Sequence, residues 1–318
     1  MTINTGLTLY DDQPDIIDIQ ATEYFLLDTP PRLIYSATAL QIPFEKHQGS
    51  IQKYRRNHQF PVSGIPIEEG VTPPSMKPTY TDITVEPQQY GGWSQQSDRQ
   101  IMLNRDDTVA GTLDKLGIHG SRTLDMVMRD ILLLGLSTYQ CEFGENNQTP
   151  TEISFRDIVE SAGILDTNDA TKVTEIIDAD TGIATTPIQA SYMAYMHTSI
   201  GAGLHLINGF TPTANYANTS STLKSEIGSM AGVRFLTTSA GAFKGNNPKI
   251  YTTIIVGKDS HASIGFSHSL TNVYLKPLGS SGAIDPLNQR QSEGWKTSYT
   301  GIILSQEEMI NVNSTMAN

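Results

Sequence analysis

The sequence is poor in cysteine and contains no long hydrophobic segment. Cys141 is the only cysteine among 318 residues, so the chain can form neither an intrachain disulfide nor a cysteine-based zinc site. Nowhere do about eighteen apolar residues run together, which excludes an ordinary membrane-spanning helix. The first thirty residues lack a basic segment followed by an apolar run, and we therefore expect no signal peptide. These absences favour a protein made in a reducing cytoplasm.

Positive charge is also scarce. The chain has 21 Lys and Arg residues against 33 Asp and Glu residues, giving a net charge of −12. Phosphate backbones and anionic lipid surfaces repel such a protein, so we expect no membrane partner and only weak, non-specific proximity to nucleic acid. Its length allows a sizeable core, organised as two subdomains or as one domain with long excursions.

The common motifs of catalysis and cofactor binding are absent. No GxxxxGK[ST] or GxSxG sequence occurs, and the Gly201–Gly203 pair lacks the third glycine of a dinucleotide-binding loop. The seven histidines match no common zinc-binding spacing. We therefore predict no catalytic residues, no metal and no cofactor.

One segment keeps an enzymatic alternative open. Residues 180–182 read Asp-Thr-Gly, which resembles the turn that presents the catalytic carboxylate of aspartic proteases. Those enzymes need two such carboxylates, and the sequence has a single copy, so a dimer would be required. The same three residues also form a good turn sequence, and an ordinary turn is the preferred interpretation.

Helical periodicity is strongest between Arg122 and Ser137. Apolar residues recur there at steps of three and four, which predicts one buried stripe: Leu124, Met128, Ile131, Leu132 and Leu136. The helix can extend back to Val109, although Gly117 and Gly120 favour a kink or break. A second helix is predicted to begin after Ser154, whose side chain caps it together with Asp157, and to end at Gly163.

The second half of the chain favours strands, with a helix following His197. The strand-like runs are Tyr192–Met196, Val233–Thr238, Ile250–Val256, Val273–Leu275 and Tyr299–Leu304. Segregated strands with a few helices indicate an α+β fold.

A long polar hairpin is predicted between residues 51 and 85. Its strands, Ile51–Phe60 and Thr79–Val85, flank a tip rich in proline and glycine. The first strand is basic, whereas the tip and the second strand are acidic. The charged residues concerned are Lys53, Arg55, Arg56, Glu68, Glu69, Asp82 and Glu86. Because neither face is apolar enough to join a core, we expect the hairpin to need a partner surface.

Three blocks of sequence, in order, resemble the enquatrovirus-type (N-four-like) major capsid protein family of tailed bacteriophages. The first block consists of Tyr54-Arg55-Arg56, Pro66 to Pro73 and Gln89-Tyr90-Gly91. The second consists of Lys224 to Gly228 with Arg234-Phe235, where Ser225 replaces a glycine of the family. The third runs from Asp285 to Gln289 and on through Gly294-Trp295-Lys296 to Ile303-Leu304.

The resemblance implies the Hong-Kong-97-type capsid fold, with an extended E-loop, a peripheral (P) domain carrying a long spine helix, and an axial (A) domain. The implied divisions are an N-terminal arm at 1–48, the E-loop at 49–97, the P domain with its spine helix at 98–149, the A domain at 150–275 and a C-terminal return to the P domain at 276–318.

The implied function is that of a major capsid protein without enzymatic activity. Such a protein self-assembles into the pentamers and hexamers of an icosahedral shell around double-stranded phage DNA. Its partners are copies of itself, with scaffold, portal and decoration proteins as further partners. The charged hairpin residues would then be inter-subunit contacts of the E-loop. The protein is expected to assemble in the host bacterial cytoplasm and to end in the virion capsid. The alternative is another structural virion protein, such as a tail tube or decoration protein.

Overall fold

The computed structural model describes most of the chain from residue 34 onward. The described residues are 7–8, 34–36, 39–44, 51–60, 62, 64, 66, 69–72, 75–103, 108–141, 150–177, 184–216, 222–223, 225–246, 248–266, 272–280 and 285–316.

Seventeen strands and four helices are formed by these residues. The strands are β1 (Leu7–Thr8), β2 (Leu40–Phe44), β3 (Gln52–Asn57), β4 (Tyr80–Val85), β5 (Gln88–Ser97), β6 (Thr138–Gln140), β7 (Val173–Ile177), β8 (Ala184–His197), β9 (Thr211–Pro212), β10 (Glu226–Met230), β11 (Val233–Thr238), β12 (Phe243–Lys244), β13 (Ile250–Val256), β14 (His261–Phe266), β15 (Asn272–Lys276), β16 (Arg290–Ile303) and β17 (Met309–Ser314). The helices are α1 (Asp98–Leu103), α2 (Thr108–Leu132), α3 (Phe155–Thr167) and α4 (Thr198–Leu204). The mixture confirms the predicted α+β class.

A six-stranded sheet is built around the long strand β16. Its order is β1-β5-β16-β14-β2, and β15 also pairs with β16. Strands β5, β14 and β15 run antiparallel to β16. Side chains along β16 alternate between the two faces, so Trp295, Thr297 and Tyr299 are all buried on the face that α2 covers.

The second large sheet has nine strands. Its order is β6-β17-β13-β8-β11-β10-β9, with β12 beside β13 and β7 beside β8. The central strands β8, β11 and β13 read as apolar runs because both faces of the sheet are covered. Helices α3 and α4 pack on one face through residues such as Leu165 and Leu204. The C-terminal end of α2 packs on the other through Met128 and Leu132.

The chain passes between the two sheets at two neighbouring places. Strand β13 lies in the nine-stranded sheet and continues after a short turn as β14 in the six-stranded sheet, while β16 and β17 make the reverse passage. The two passages are hydrogen-bonded to each other. The backbone N–H of Gly257 donates to the carbonyl of Glu308 at 2.8 Å, and that of Leu304 donates to the carbonyl of Ser260 at 2.9 Å. We call residues 257–260 and 304–308 the crossing.

The crossing places strands that are neighbours in sequence in different sheets. Strand β14 lies in the same sheet as β5 and β16. Strand β17 pairs with β13 in the other sheet. The sequence does not show the change of sheet because the passage takes only a few turn residues and leaves the strand pattern uninterrupted.

Helix α2 includes the possible extension back to Val109, and it ends at Leu132, before the predicted end at Ser137. It continues through Gly117 and Gly120 without a break. A Cβ at Gly120 would lie 3.3 Å from the Trp295 ring, so glycine allows the helix to approach the sheet. Leu136 was expected in the buried stripe, but it is 80% exposed beyond the helix end. The chain turns there to form β6, which pairs with β17.

Helix α3 begins as predicted. The Ser154 side chain accepts a hydrogen bond from the Asp157 backbone N–H, and the Asp157 side chain accepts one from the Ser154 backbone N–H. The helix runs past Gly163 to Thr167, because a single glycine weakens a packed helix without ending it. Ile158 and Ala162 are buried as expected, whereas Phe155 and Val159 are exposed.

Truncating the buried stripe of α2 should destabilise the subunit. Leu132 is fully buried where α2 meets the nine-stranded sheet, so Leu132→Ala should lower the free energy of unfolding by about 2–5 kcal/mol through the cavity it leaves. The exposed Leu136 is the matched control, and Leu136→Ala should change that free energy by less than about 0.5 kcal/mol. Chemical denaturation measures both, and equal effects would contradict the packing described.

Candidate assembly surfaces

The base of the hairpin has an apolar face that packs within its own chain. Strands β3 and β4 pair in antiparallel register, with Tyr54 opposite Ile83. These two side chains and Val85 pack against a small cluster formed by Ala262, Ile264 and Ile302. The expectation that neither face could join a core is therefore wrong at the base. Ile83 and Val85 have the spacing of one strand face, but with Tyr54 they are only three positions and were judged too few to join a core.

Two of the predicted contact residues pair with each other across the hairpin. The Arg55 Nε donates to Asp82 Oδ1 at 2.8 Å, and its Nη2 donates to Asp82 Oδ2 at 3.2 Å. The hydrogen bond from Arg55 holds the pKa of the Asp82 carboxyl below its usual value. Both side chains are solvent-exposed, so the pair fixes the strand register more than it stabilises the fold.

A third predicted contact residue ties the hairpin to the crossing. The Arg56 Nη2 donates to Glu307 Oε2 at 2.8 Å, although 251 positions separate them in sequence. Lys53, Glu69 and Glu86 are exposed, and Glu68 lies outside the described residues. The hairpin cations Arg55 and Arg56 thus have partners inside their own subunit.

The root of the N-terminal segment is held by a buried carboxylate on α2. Asp125 accepts hydrogen bonds from the backbone N–H of Ile34 at 3.3 Å, and from both the backbone N–H and the hydroxyl of Ser36 at 2.9 Å. Burial raises the pKa of the Asp125 carboxyl, and the hydrogen bonds from Ser36 oppose that shift. These hydrogen bonds fix residues 34–36 against helix α2.

Three aromatic side chains pack in a row between residues 34–36, which we call the clamped segment, and the crossing. The ring of Tyr35 meets that of Tyr195 edge to face at 5.4 Å, and Tyr195 in turn meets His261 at 6.2 Å. His261 directly follows the crossing, and its Nδ1 is 2.9 Å from the Ser260 hydroxyl. Burial lowers the pKa of His261 from 6.5 to about 4, so the ring is neutral at physiological pH.

A buried ion pair organises the far end of the nine-stranded sheet. Arg234 on β11 binds the Glu226 carboxylate on β10 through two hydrogen bonds, at 2.7 and 2.8 Å. The Tyr216 hydroxyl and the Leu223 backbone N–H donate to the same carboxylate, at 2.8 and 3.0 Å. The network satisfies both charges and fixes Tyr216 and Leu223 beside β10.

Neither the protease-like turn nor a metal site gains support from the described residues. Residues 180–182 lie outside the described part of the chain. Within that part, no group of three or more His, Cys, Asp or Glu side chains converges to hold a metal ion. No helix there is long and apolar enough to cross a membrane. Cys141 is buried, and burial raises the pKa of its thiol.

Comparison with solved structures identifies the fold. The capsid of Ralstonia phage GP4 matches with a TM-score of 0.65 at 9% identity, over 98% of this chain and 98% of that one. The capsid structure of the cyanophage P-SCSP1u matches with a TM-score of 0.64 at 10% identity, over 100% and 99%. The head structure of Helicobacter pylori bacteriophage KHP40 matches with a TM-score of 0.63 at 12% identity, over 99% and 98%.

The chain therefore has the Hong-Kong-97-type fold of phage capsid proteins, as predicted. No protein-family model and no curated protein matches the sequence. The likeness is thus one of backbone architecture over nearly the whole chain, at identities of 9–12%.

Sequence reasoning missed the side chains that hold these surfaces in place. Asp125 stands three residues before Met128 and seven before Leu132, so its spacing places it on the buried stripe of α2, but its charge led sequence reasoning to leave it out. Glu226 and Arg234 belong to the second of the three resembling blocks, and their pairing explains why a Glu and an Arg occur there. Glu307 is distant in sequence from the hairpin, so only the fold reveals its contact with Arg56.

Breaking the buried ion pair should cost far more than breaking the exposed one. Glu226→Gln leaves Arg234 charged and buried, and we expect the free energy of unfolding to fall by about 3–5 kcal/mol. Asp82→Asn is the matched control at the exposed pair and should leave the melting temperature within experimental error. Calorimetry of the subunits decides, and equal shifts in melting temperature would contradict the burial described.

His261 should make the subunit sensitive to acid. The folded state holds the pKa of His261 near 4 while the unfolded chain titrates near 6.5, so unfolded chains bind more protons between those pH values. Stability should therefore fall by up to about 3 kcal/mol from this group as pH drops from 6.5 to 4. Because carboxyl groups also titrate in this range, the test compares the pH dependence of unfolding in wild type and His261→Gln. Identical slopes would refute the assignment.

Proposed function

We propose that this protein is a phage major capsid protein, a non-enzymatic subunit that assembles into the pentamers and hexamers of an icosahedral head shell. The observation that carries the proposal is the match to capsid and head structures over almost the full length of both chains. A match of that coverage supports a role like that of the matched capsid proteins for the chain as a whole. Virion location, with assembly in the host cytoplasm, follows from this role.

The subdomains of the proposed subunit follow the two sheets. Helix α2 is the spine helix of the P domain, whose sheet contains β5, β14 and β16. The nine-stranded sheet with α3 and α4 is the A domain, and the β3–β4 hairpin is the E-loop. On this assignment β17 belongs to the A domain, which moves the boundary proposed from the sequence.

We also propose the enquatrovirus-type lineage for this chain. One residue of the second block and one of the third occupy structurally demanding positions, which supports common descent over chance. Ser225 replaces a glycine of the family, and its φ is 79°, in the left-handed region that favours glycine. Trp295, in the third block, packs on Gly120 of α2.

Assembly on this proposal depends on many weak contacts. Heterologous contacts between identical subunits close into rings, and each subunit is retained because several neighbours hold it at once. Lys53, Arg55, Arg56, Glu68, Glu69, Asp82 and Glu86 remain the proposed E-loop contacts, although Arg55 and Arg56 already have partners in their own chain. The net charge of −12 would keep the lumen from binding packaged DNA tightly.

Electron microscopy of the purified protein tests the proposal. We expect closed shells containing five-fold and six-fold clusters of subunits when the protein is concentrated, with or without a scaffold protein. Tubes or isolated trimers would favour a tail tube or decoration protein instead. Peptidase activity at acidic pH that disappears in Asp180→Asn would overturn the non-enzymatic assignment.

A further inference from the structure

A tight turn connects helix α4 to strand β9. The backbone N–H of Phe210 donates to the carbonyl of Ile207 at 3.3 Å, which closes a β-turn with Asn208 and Gly209 at its centre. The φ of Gly209 is 95°, in the left-handed region that glycine adopts without strain and that a type II turn requires at this position. Asn208 and Gly209 are both exposed. The turn therefore presents an Asn-Gly pair to solvent.

This pair is the only Asn-Gly sequence in the chain. In such a pair the glycine nitrogen can attack the side-chain amide carbon of the asparagine, because the product is an unstrained five-membered ring. Glycine favours the attack because it has no Cβ to obstruct it and because its backbone reaches conformations that other residues avoid. A hydrogen bond that held either group in place would oppose the reaction. The hydrogen bonding of the two groups therefore decides whether the site is reactive.

Both reacting groups are free of hydrogen bonds to the described residues. The backbone N–H groups of Ile207 and Phe210 donate to carbonyls of the chain, whereas that of Gly209 donates to none in the described part. The side chain of Asn208 likewise has no hydrogen-bond partner among the described residues. By contrast, the side-chain amide of Asn168 donates to a backbone carbonyl at 3.1 Å. The nucleophile and the electrophile at 208–209 are thus both available.

The turn is packed against its surroundings on two sides. A Cβ at Gly209 would lie 3.1 Å from the Phe155 ring, so the turn lies close to the start of helix α3. The Phe210 ring meets that of His205 edge to face at 4.9 Å, and it lies 6.4 Å from the ring of Phe235 on β11. These contacts leave little room for a longer backbone within the turn.

We propose that Asn208 is a site of spontaneous deamidation. The nitrogen of Gly209 loses its proton and forms a bond to Cγ of Asn208, and the side-chain nitrogen leaves as ammonia, which yields a succinimide. Water then adds to one of the two ring carbonyls, and the ring opens to aspartate or to isoaspartate. Each modified subunit gains one negative charge. The isoaspartate form also gains one backbone atom, which opens the turn at Phe210. The reaction belongs to the subunit itself and does not depend on the proposed capsid function.

Mass spectrometry of aged full-length protein tests the site. After incubation at mildly alkaline pH, the proteolytic fragment containing Asn208 should gain about 1 Da, with isoaspartate as the main product. Asn288 is the matched control within the chain, because it is also an exposed turn residue but is followed by glutamine. The Asn288 fragment should keep its mass, and Asn208→Gln should abolish the mass gain at position 208. Retention of the amide at Asn208, or its loss at the same rate from Asn288, would overturn the proposal.

Comparison with the unfolded chain shows whether the native turn permits the reaction. Because both reacting groups are available, Asn208 should deamidate in the folded subunit at a rate comparable with that in guanidinium chloride. Hydroxylamine gives an independent readout, since it cleaves the succinimide and should split the folded chain into residues 1–208 and 209–318. Deamidation and cleavage confined to the unfolded chain would mean that the turn protects the site, and would overturn the proposal.

Hydrogen exchange measures the effect on the turn. Isoaspartate should break the hydrogen bond from Phe210 to Ile207, so the Phe210 amide should exchange faster in aged protein than in fresh protein. Asn208→Asp is the matched control, because it adds the same charge on a normal backbone, and exchange at Phe210 should stay as in fresh wild type. Equal exchange in fresh and fully modified protein would refute the opening of the turn.

Discussion

The packing of α2 against both sheets is the constraint on which the rest of the subunit depends. At Gly120 the helix lies against Trp295 of the six-stranded sheet. At Met128 it touches Gly301, where a Cβ would lie 2.8 Å from the Met128 sulfur. At Leu132 it enters the core of the nine-stranded sheet. A small residue is needed at two of these contacts because the helix is close to the sheets, and close approach allows one apolar stripe to join two layers.

The strands that lead into the crossing and the segment 34–36, which Asp125 binds, pack with this helix in one apolar cluster. Strands β13 and β16 change sheets next to each other, so neither sheet can rotate without disturbing the hydrogen bonds at Gly257 and Ser260. Tyr35, held by the clamp, extends this junction through Tyr195 to His261. Helix, crossing and clamped segment therefore form one packed unit between the sheets. The proposed function explains why rigidity matters. In a closed ring of subunits, small errors in the angle between neighbours would accumulate.

Sequence reasoning succeeded where the physical signal was local. The α2 stripe, the Ser154 cap and the apolar strands were predictable because periodicity and capping act within a few residues. It failed where distant segments decide the outcome. Leu136 continues the apolar spacing, yet the pairing of β6 with β17 ends the helix first. The apolar base of the hairpin and the Arg56–Glu307 pair arise only when strands far apart in sequence meet. The resemblance to a capsid family predicted the fold that local patterns alone left open.

Burial separates the charged groups that fix the subunit from those available to neighbours. The Glu226–Arg234 pair is buried, and its carboxylate also accepts hydrogen bonds from Tyr216 and Leu223, so these groups are not available to a neighbouring molecule. The Arg55–Asp82 pair on the hairpin is exposed, and exposed ion pairs contribute little individually. Weak contacts let a misplaced subunit dissociate before its neighbours lock it in, whereas their number stabilises the correct arrangement. A rigid interior with weakly interacting charges at its margins therefore fits the proposed function of a shell subunit.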